Sequence, residues 1–157
     1  MVVTKCMSVN NPIIRRYHVA KVLNAPIKFA FKWCTDFRDT DPNITGSGNK
    51  RKILEKTKAR VIYTISYKSG RRTLHAVNIV TLHPPRSWHL DSRGEEDDEV
   101  GEYALSSLGP SKTKLDMKFT EYWKTRDYPS NTEYIEQIHD VWNKYAAALE
   151  KDYKRKR

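Results

Sequence analysis

The C-terminal part of the chain carries a pattern that predicts one long helix. Pro129 is followed by Ser-Asn-Thr-Glu at 130–133, a capping-box signature in which the Ser130 and Glu133 side chains satisfy each other's backbone N–H groups. Apolar side chains then recur on one broad arc: Tyr134, Ile135, Ile138, Val141, Trp142, Tyr145, Ala146 and Leu149. A helix over 131–154 is roughly 36 Å long at 1.5 Å per residue. The rest of the chain must therefore form an apolar surface on which this helix lies.

The middle of the chain predicts six strands joined by short turns. The β-rich runs are 51–56, 59–67, 72–83, 87–92, 100–108 and 113–123, separated by Gly, Pro and Ser clusters and by an acidic run. This regular spacing is typical of an antiparallel meander. In the last run Leu115, Met117 and Phe119 alternate with polar residues, which indicates one buried and one solvated face.

The N-terminal part predicts a strand over 15–23 that leads directly into a helix. Pro26 suits the first turn of a helix because its missing N–H needs no partner there, and Asn24 is a possible N-cap. One helix face comprises Ile27, Ala30, Phe31 and Cys34, with Phe29 and Trp33 in a second apolar stripe. The polar, glycine-containing segment after Asp36 allows a short second helix. The predicted fold class is α+β.

Bulk properties predict one domain. The chain has 157 residues, and we interpret 1–14 as a flexible N-terminal segment and 15–157 as a single domain with a basic C-terminal tail. No apolar run approaches the roughly 20 residues of a membrane span, and the first residues lack the pattern of a signal peptide. Cys6 and Cys34 form neither a metal motif nor a disulfide framework. We therefore expect a cytoplasmic protein.

The charge is strongly positive, at a formal net value of +10, which raises nucleic acid or an anionic membrane surface as partners. The basic residues are scattered over turns, strand ends and the C-terminus, and no helix-turn-helix, zinc-finger, RRM or KH signature accompanies them. This distribution favours a solvated basic surface over a nucleic-acid site.

Three segments resemble a known superfamily: VLNAPIKFAFKWCTDF, IVTLHPPRSWHL and VGEYALSSLGPSKTKL. In this order they resemble the SRPBCC or START-like superfamily, whose helix-grip fold is shared by birch-pollen-allergen relatives, lipid-transfer domains and polyketide cyclase or dehydratase-like proteins. The resemblance covers about 15–152. It implies a curved antiparallel sheet wrapped around the C-terminal helix, with two short helices after the first strand. It also implies a cavity that holds a hydrophobic small molecule or lipid.

One segment departs from the superfamily pattern. Many members carry an aromatic-Pro-x-Trp segment after the first helix, whereas this chain reads DFRDTDPNITGSGN. This segment is more polar and richer in glycine, so the resemblance does not define the shape of the cavity mouth.

Nine residues from the long helix and the strands are candidates for lining such a cavity. Strand parity does not decide which face Trp88 and Tyr103 occupy. Ordinary core packing is the alternative for each, because aromatic stripes are usually core. The candidates are Tyr63, Tyr67, Trp88, Tyr103, Met117, Phe119, Ile138, Trp142 and Tyr145.

The sequence assigns no catalytic residue, metal or cofactor. The candidates for acid–base chemistry are His75, His83 and His89, with Asp91 and Glu121 as carboxylate partners. His75 and His83 are roughly 27 Å apart along an extended strand, too far to bind one metal ion. The chain contains no phosphate loop, nucleophile elbow or CxxC motif.

Three functions remain open from the sequence. The first is binding, and transport as an extension of it, of a hydrophobic small molecule or lipid. The second is a cyclase or dehydratase-type enzyme that uses the same cavity. The third is a basic interaction module for nucleic acid or an acidic protein.

Overall fold

The structure is a computed structural model that describes residues 13–125 and 128–156. Its elements, in chain order, are β1 (Ile13–Leu23), α1 (Ile27–Thr35), α2 (Pro42–Thr45), β2 (Lys50–Lys56), β3 (Arg60–Ser69), β4 (Arg72–His83), β5 (Ser87–Gly94), β6 (Asp97–Gly109), β7 (Lys112–Trp123) and α3 (Asn131–Arg155). The predicted order of strand, two helices, six strands and a long helix is confirmed.

All seven strands form one curved antiparallel sheet in the order β1-β7-β6-β5-β4-β3-β2. Residues paired across neighbouring strands share a face, and the register aligns Trp88 with Tyr103, Tyr103 with Met117, and Tyr17 with Phe119. This concave face carries most of the buried apolar core. Helix α3 packs on it, with the Tyr134 ring 4.5 Å from the Tyr17 ring. No helix within 13–125 or 128–156 is long and apolar enough to cross a membrane.

The strand limits differ from the predicted limits mainly at β6. This strand begins at Asp97, three residues before the predicted start, because Asp97 pairs with Trp123 and Glu99 pairs with Glu121 of β7. Assigning 97–99 to a turn was therefore wrong. The segment predicted as flexible is 1–14. Residues 1–12 of it lie outside the described residues, and Ile13 and Ile14 belong to β1.

Helix α1 begins without the predicted side-chain cap. The N-cap residue is Pro26, with an extended backbone, and no side chain bonds to the free N–H groups, so the prediction of Asn24 as N-cap was wrong. The corner is held from the sheet instead, where the Thr113 hydroxyl donates to the Ala25 carbonyl at 2.8 Å. The second apolar stripe packs on α3, with Phe29 5.1 Å from the Tyr153 ring. Both faces of α1 are thus covered.

The predicted capping box at the start of α3 is confirmed. The Ser130 hydroxyl accepts from the Glu133 N–H at 3.2 Å, and the Glu133 carboxylate accepts from the Ser130 N–H at 3.2 Å. We expect Ser130→Ala to lower the free energy of unfolding by about 1 kcal/mol, because it leaves a helical N–H unpaired. Urea denaturation measures this, with Thr132→Ala in the exposed first turn as the matched control. Equal free energies for the two variants would contradict the prediction.

Candidate ligand-binding cavity

A cavity of about 220 Å³ lies between the concave face of the sheet, α1 and α3. Five residues predicted from the sequence line it: Tyr63, Trp88, Tyr103, Trp142 and Tyr145. Nine more line it from positions that the sequence analysis did not select: Trp33, Cys34, Phe37, Arg38, Asp41, Arg51, Val80, Leu90 and Val141. The wall is therefore largely aromatic and aliphatic, with charged side chains confined to Arg38, Asp41 and Arg51.

Tyr103 is the centre of the aromatic wall. Its ring stacks on Trp88 at 5.0 Å and meets Trp142 at 6.4 Å and the edge of Phe119 at 5.6 Å. Gly101 makes room for this ring, since a Cβ there would lie 2.9 Å from the Tyr103 ring edge. Burial raises the pKa of Tyr103 well above its usual value, so its hydroxyl remains a neutral donor. This part of the wall is a closely packed aromatic surface that includes the neutral hydroxyl of Tyr103.

The charged end of the cavity is built around Arg51. Its guanidinium contacts Asp41 at 2.8 Å and lies 4.5 Å from the Tyr63 ring centre and 5.7 Å from that of Phe37. Burial raises the pKa of Tyr145, and the positive charge of nearby Arg51 opposes this rise. The buried Nε of Arg51 has no hydrogen-bond partner among the described residues. This end of the cavity therefore carries a positively charged hydrogen-bond donor group.

A wider groove of about 530 Å³ lies outside this charged end. It runs between α2 and α3 and shares Arg51, Val141 and Tyr145 with the cavity wall. The Lys144 ammonium donates to the Thr45 carbonyl at 3.1 Å across it. The polar segment after α1 lines one side of it, through Pro42, Thr45, Gly46, Ser47 and Asn49. The shared residues therefore form the boundary between solvent and cavity.

Comparison with solved structures identifies this architecture. A protein from Thermus thermophilus superposes with a TM-score of 0.73 at 9% identity, over 86% of this chain and 97% of that one. The Zhui aromatase/cyclase from Streptomyces sp. R1128 gives 0.66 at 14% identity, over 91% and 95%. A START superfamily protein from Mycobacterium smegmatis gives 0.63 at 14% identity, over 90% and 99%. The chain has the helix-grip fold. No sequence-family model and no curated protein matches the chain, and at these identities the similarity establishes the fold alone.

Four of the nine candidate residues lie elsewhere in the helix-grip architecture. Met117 and Phe119 are 0% and 5% exposed and belong to the core of the concave face. Ile138 of α3 packs against that core. Tyr67 lies near the acidic β5–β6 turn, where burial and then Asp97 raise its pKa to about 12. Ligand contact by these four remains a prediction from the sequence.

The histidines do not line the cavity, although all five belong to the described residues. His75 and His83 are exposed, on the convex face of β4. His89 is on the same face of β5 and binds Glu102 and Asp91, the latter at 3.1 Å. The histidines that were candidates for acid–base chemistry therefore lie outside the cavity.

The cavity groups with displaced pKa values all move away from neutrality. Burial raises the pKa of the Cys34 thiol to about 12 and that of the Tyr63 hydroxyl to about 12. Tyr103 and Tyr145 shift in the same direction for the same reason. These groups are therefore protonated at neutral pH.

An acidic cluster that the sequence analysis missed lies on the concave face away from the cavity wall. It comprises Asp97 and Glu99 of β6 with Glu121 of β7, which had been considered only as a partner for histidine. The Tyr134 hydroxyl of α3 donates to Glu99 at 2.9 Å. Burial, as the largest cause, raises the pKa of Glu99 and of Glu121 to about 7. The sequence analysis missed this cluster because it assigned residues 97–99 to a turn.

Proposed function

We propose that this protein binds a small hydrophobic or amphipathic molecule in the cavity between the sheet and α3. The observation that carries the proposal is a partly open, largely aromatic cavity whose charged side chains are gathered at one end around Arg51. Ligand sites of this kind are mostly apolar, with a few polar groups that fix orientation. The resemblance to helix-grip proteins that hold hydrophobic molecules in the same place supports it.

The size of the cavity suggests the kind of ligand. At about 220 Å³ it is smaller than the roughly 300–1,000 Å³ typical of small-molecule sites. A compact ring system fits this volume, and a longer molecule would extend into the outer groove. A carboxylate, phenol or carbonyl on the ligand would accept a hydrogen bond from the Arg51 guanidinium, which lines the cavity. The ligand we propose is therefore a ring compound with one acceptor group.

A cyclase or dehydratase-type activity in the same cavity is the second candidate. The Arg51 guanidinium among tyrosine hydroxyls favours it, because such donors can polarise a carbonyl, and one similar structure is an aromatase/cyclase. The upward pKa shifts of Tyr63, Tyr103 and Tyr145 favour binding instead, since proton abstraction at neutral pH needs a group with a pKa near 7.

Ligand binding is tested with 8-anilinonaphthalene-1-sulfonate, an aromatic anion that fluoresces in apolar sites. We expect one saturable site, and we expect Trp142→Ala to weaken binding by about tenfold because it removes an aromatic wall. Tyr122→Ala, on the convex face of β7, is the matched control and should bind like the wild type. Native mass spectrometry of the purified protein would then reveal any co-purifying ligand. Absence of saturable binding, or equal binding by both variants, would overturn the proposal.

A further inference from the structure

Three carboxylates converge on the concave face below the first turns of α3. One oxygen each from Asp97, Glu99 and Glu121 lies within 4.8 Å of the others. Glu121 is 0% exposed, and although Tyr134 and Trp123 lie near its carboxylate, neither of its oxygens has a hydrogen-bond partner of normal geometry among residues 13–125 and 128–156. Burying a carboxylate without a partner lowers the free energy of unfolding much more than burying a paired one. The three carboxylates therefore lack a balancing positive charge, and Glu121 lacks hydrogen bonds of normal geometry.

The cationic side chains near the cluster bind other groups. Arg15 is opposite Glu121 in the β1–β7 register, but its guanidinium donates to the Pro129 carbonyl and to the Asn131 side chain. Lys124 contacts Asp98 at 2.9 Å and donates to the Gly94 carbonyl. Neither cation forms an ion pair with the three clustered carboxylates within the described part of the chain.

We propose that Asp97, Glu99 and Glu121 bind a hard divalent cation, and that they bind Ca²⁺ more tightly than Mg²⁺. Carboxylate oxygens are the ligands that such cations select. Ca²⁺ accepts oxygens at about 2.3–2.6 Å, so two ligands on opposite sides of the ion can be about 4.6–5.2 Å apart. Three oxygens within 4.8 Å of one another can therefore reach one such ion. Ca²⁺ also accepts the irregular geometry of three side chains from two strands, whereas Mg²⁺ requires a near-octahedral set of oxygens at about 2.0–2.1 Å. Water completes the coordination.

The cation links the sheet to α3. Glu99 accepts the Tyr134 hydroxyl, so an ion that orders Glu99 also fixes the start of α3. The strands β6 and β7 contribute ligands from directly paired positions, Glu99 and Glu121. The site lies apart from the residues that line the ligand cavity, and the inference does not depend on what the cavity binds.

The test uses the full chain, freed of metal with EDTA and returned to metal-free buffer. Calorimetry should show one saturable Ca²⁺ site per chain at millimolar or lower calcium, with weaker binding of Mg²⁺. Tb³⁺, a luminescent substitute for Ca²⁺, should be sensitised by Trp123, which pairs with Asp97 across β6 and β7. Added Ca²⁺ should displace Tb³⁺ and remove the luminescence. No saturable binding, or tighter binding of Mg²⁺, would overturn the proposal.

Variants locate the site. Glu121→Gln keeps the side-chain volume and should weaken Ca²⁺ binding by at least about tenfold, and Asp97→Asn provides a second ligand variant if Glu121→Gln folds poorly. Glu136→Gln, on the exposed face of α3, changes the net charge by the same amount and should bind Ca²⁺ like the wild type. Binding by both ligand variants at wild-type strength would show that the ion lies elsewhere on the surface and would refute the assignment.

Discussion

Replacing Arg51 by methionine is expected to lower the free energy of unfolding by about 3 kcal/mol. Arg51 and its partner Asp41 are only 10% and 14% exposed, and removing Arg51 leaves the buried Asp41 carboxylate with the more exposed Arg38 as its one ion-pair partner among the described residues. The guanidinium also stacks on the rings of Tyr63 and Phe37, and methionine keeps the apolar stem but loses these contacts. Guanidinium chloride denaturation measures the loss.

Two further variants separate the ion pair from general surface effects. Arg38→Met removes the other arginine that contacts Asp41, but Arg38 is 41% exposed, so its loss should cost less than about 1 kcal/mol. The double variant Asp41→Asn with Arg51→Met should recover part of the stability, because no buried charge then remains unpaired. If Arg51→Met is no less stable than Arg38→Met, the buried Arg51–Asp41 ion pair does not stabilise the fold more than the exposed Arg38–Asp41 pair, and the prediction is wrong.

The fold could be predicted because its strongest signals are local. The limits of α3 follow from the Ser130–Glu133 capping box and from a helical apolar repeat, both contained within one segment. The alternation in β7 likewise fixes which of its side chains face the core. The start of β6 could not be predicted in this way, since Asp97 and Glu99 disfavour a strand locally. Their extended conformation depends on pairing with Trp123 and Glu121 of β7, which is a non-local interaction.

The candidate site was predicted only in part for a related reason. Strand parity shows which face a residue occupies only where alternation is clear. For Trp88 and Tyr103 it did not decide the face, and the register places both on the concave face. Parity does not show depth, and Met117 and Phe119 share the same face but lie in the core.

The charged end of the cavity was missed altogether. The Arg51–Asp41 pair forms only when the segment after α1 folds back over β2, so this end of the cavity depends on a tertiary contact. No periodicity in the sequence marks that contact.

The protein without bound metal is expected to lose stability as the pH rises from about 4.5 to about 7. Burial raises the pKa of the Glu121 carboxyl from 4.5 to about 7 in the folded state, and Glu99 shifts in the same direction. A group whose folded-state pKa exceeds the unfolded value stabilises the fold fully below the unfolded pKa and loses that effect as the pH passes the folded value. At about 1.4 kcal/mol per pKa unit, Glu121 alone accounts for a loss of about 3 kcal/mol.

Urea denaturation in EDTA at a series of pH values measures this loss. Glu121→Gln removes the titrating carboxyl, so its free energy of unfolding should vary less across the same pH range than that of the wild type. Glu136→Gln, which removes an exposed carboxyl of α3, should retain the wild-type slope. A wild-type stability that is flat or rises over this range would mean that Glu121 is ionised in the folded protein even without a cation. In that case the carboxylate must have a partner that the described residues do not provide.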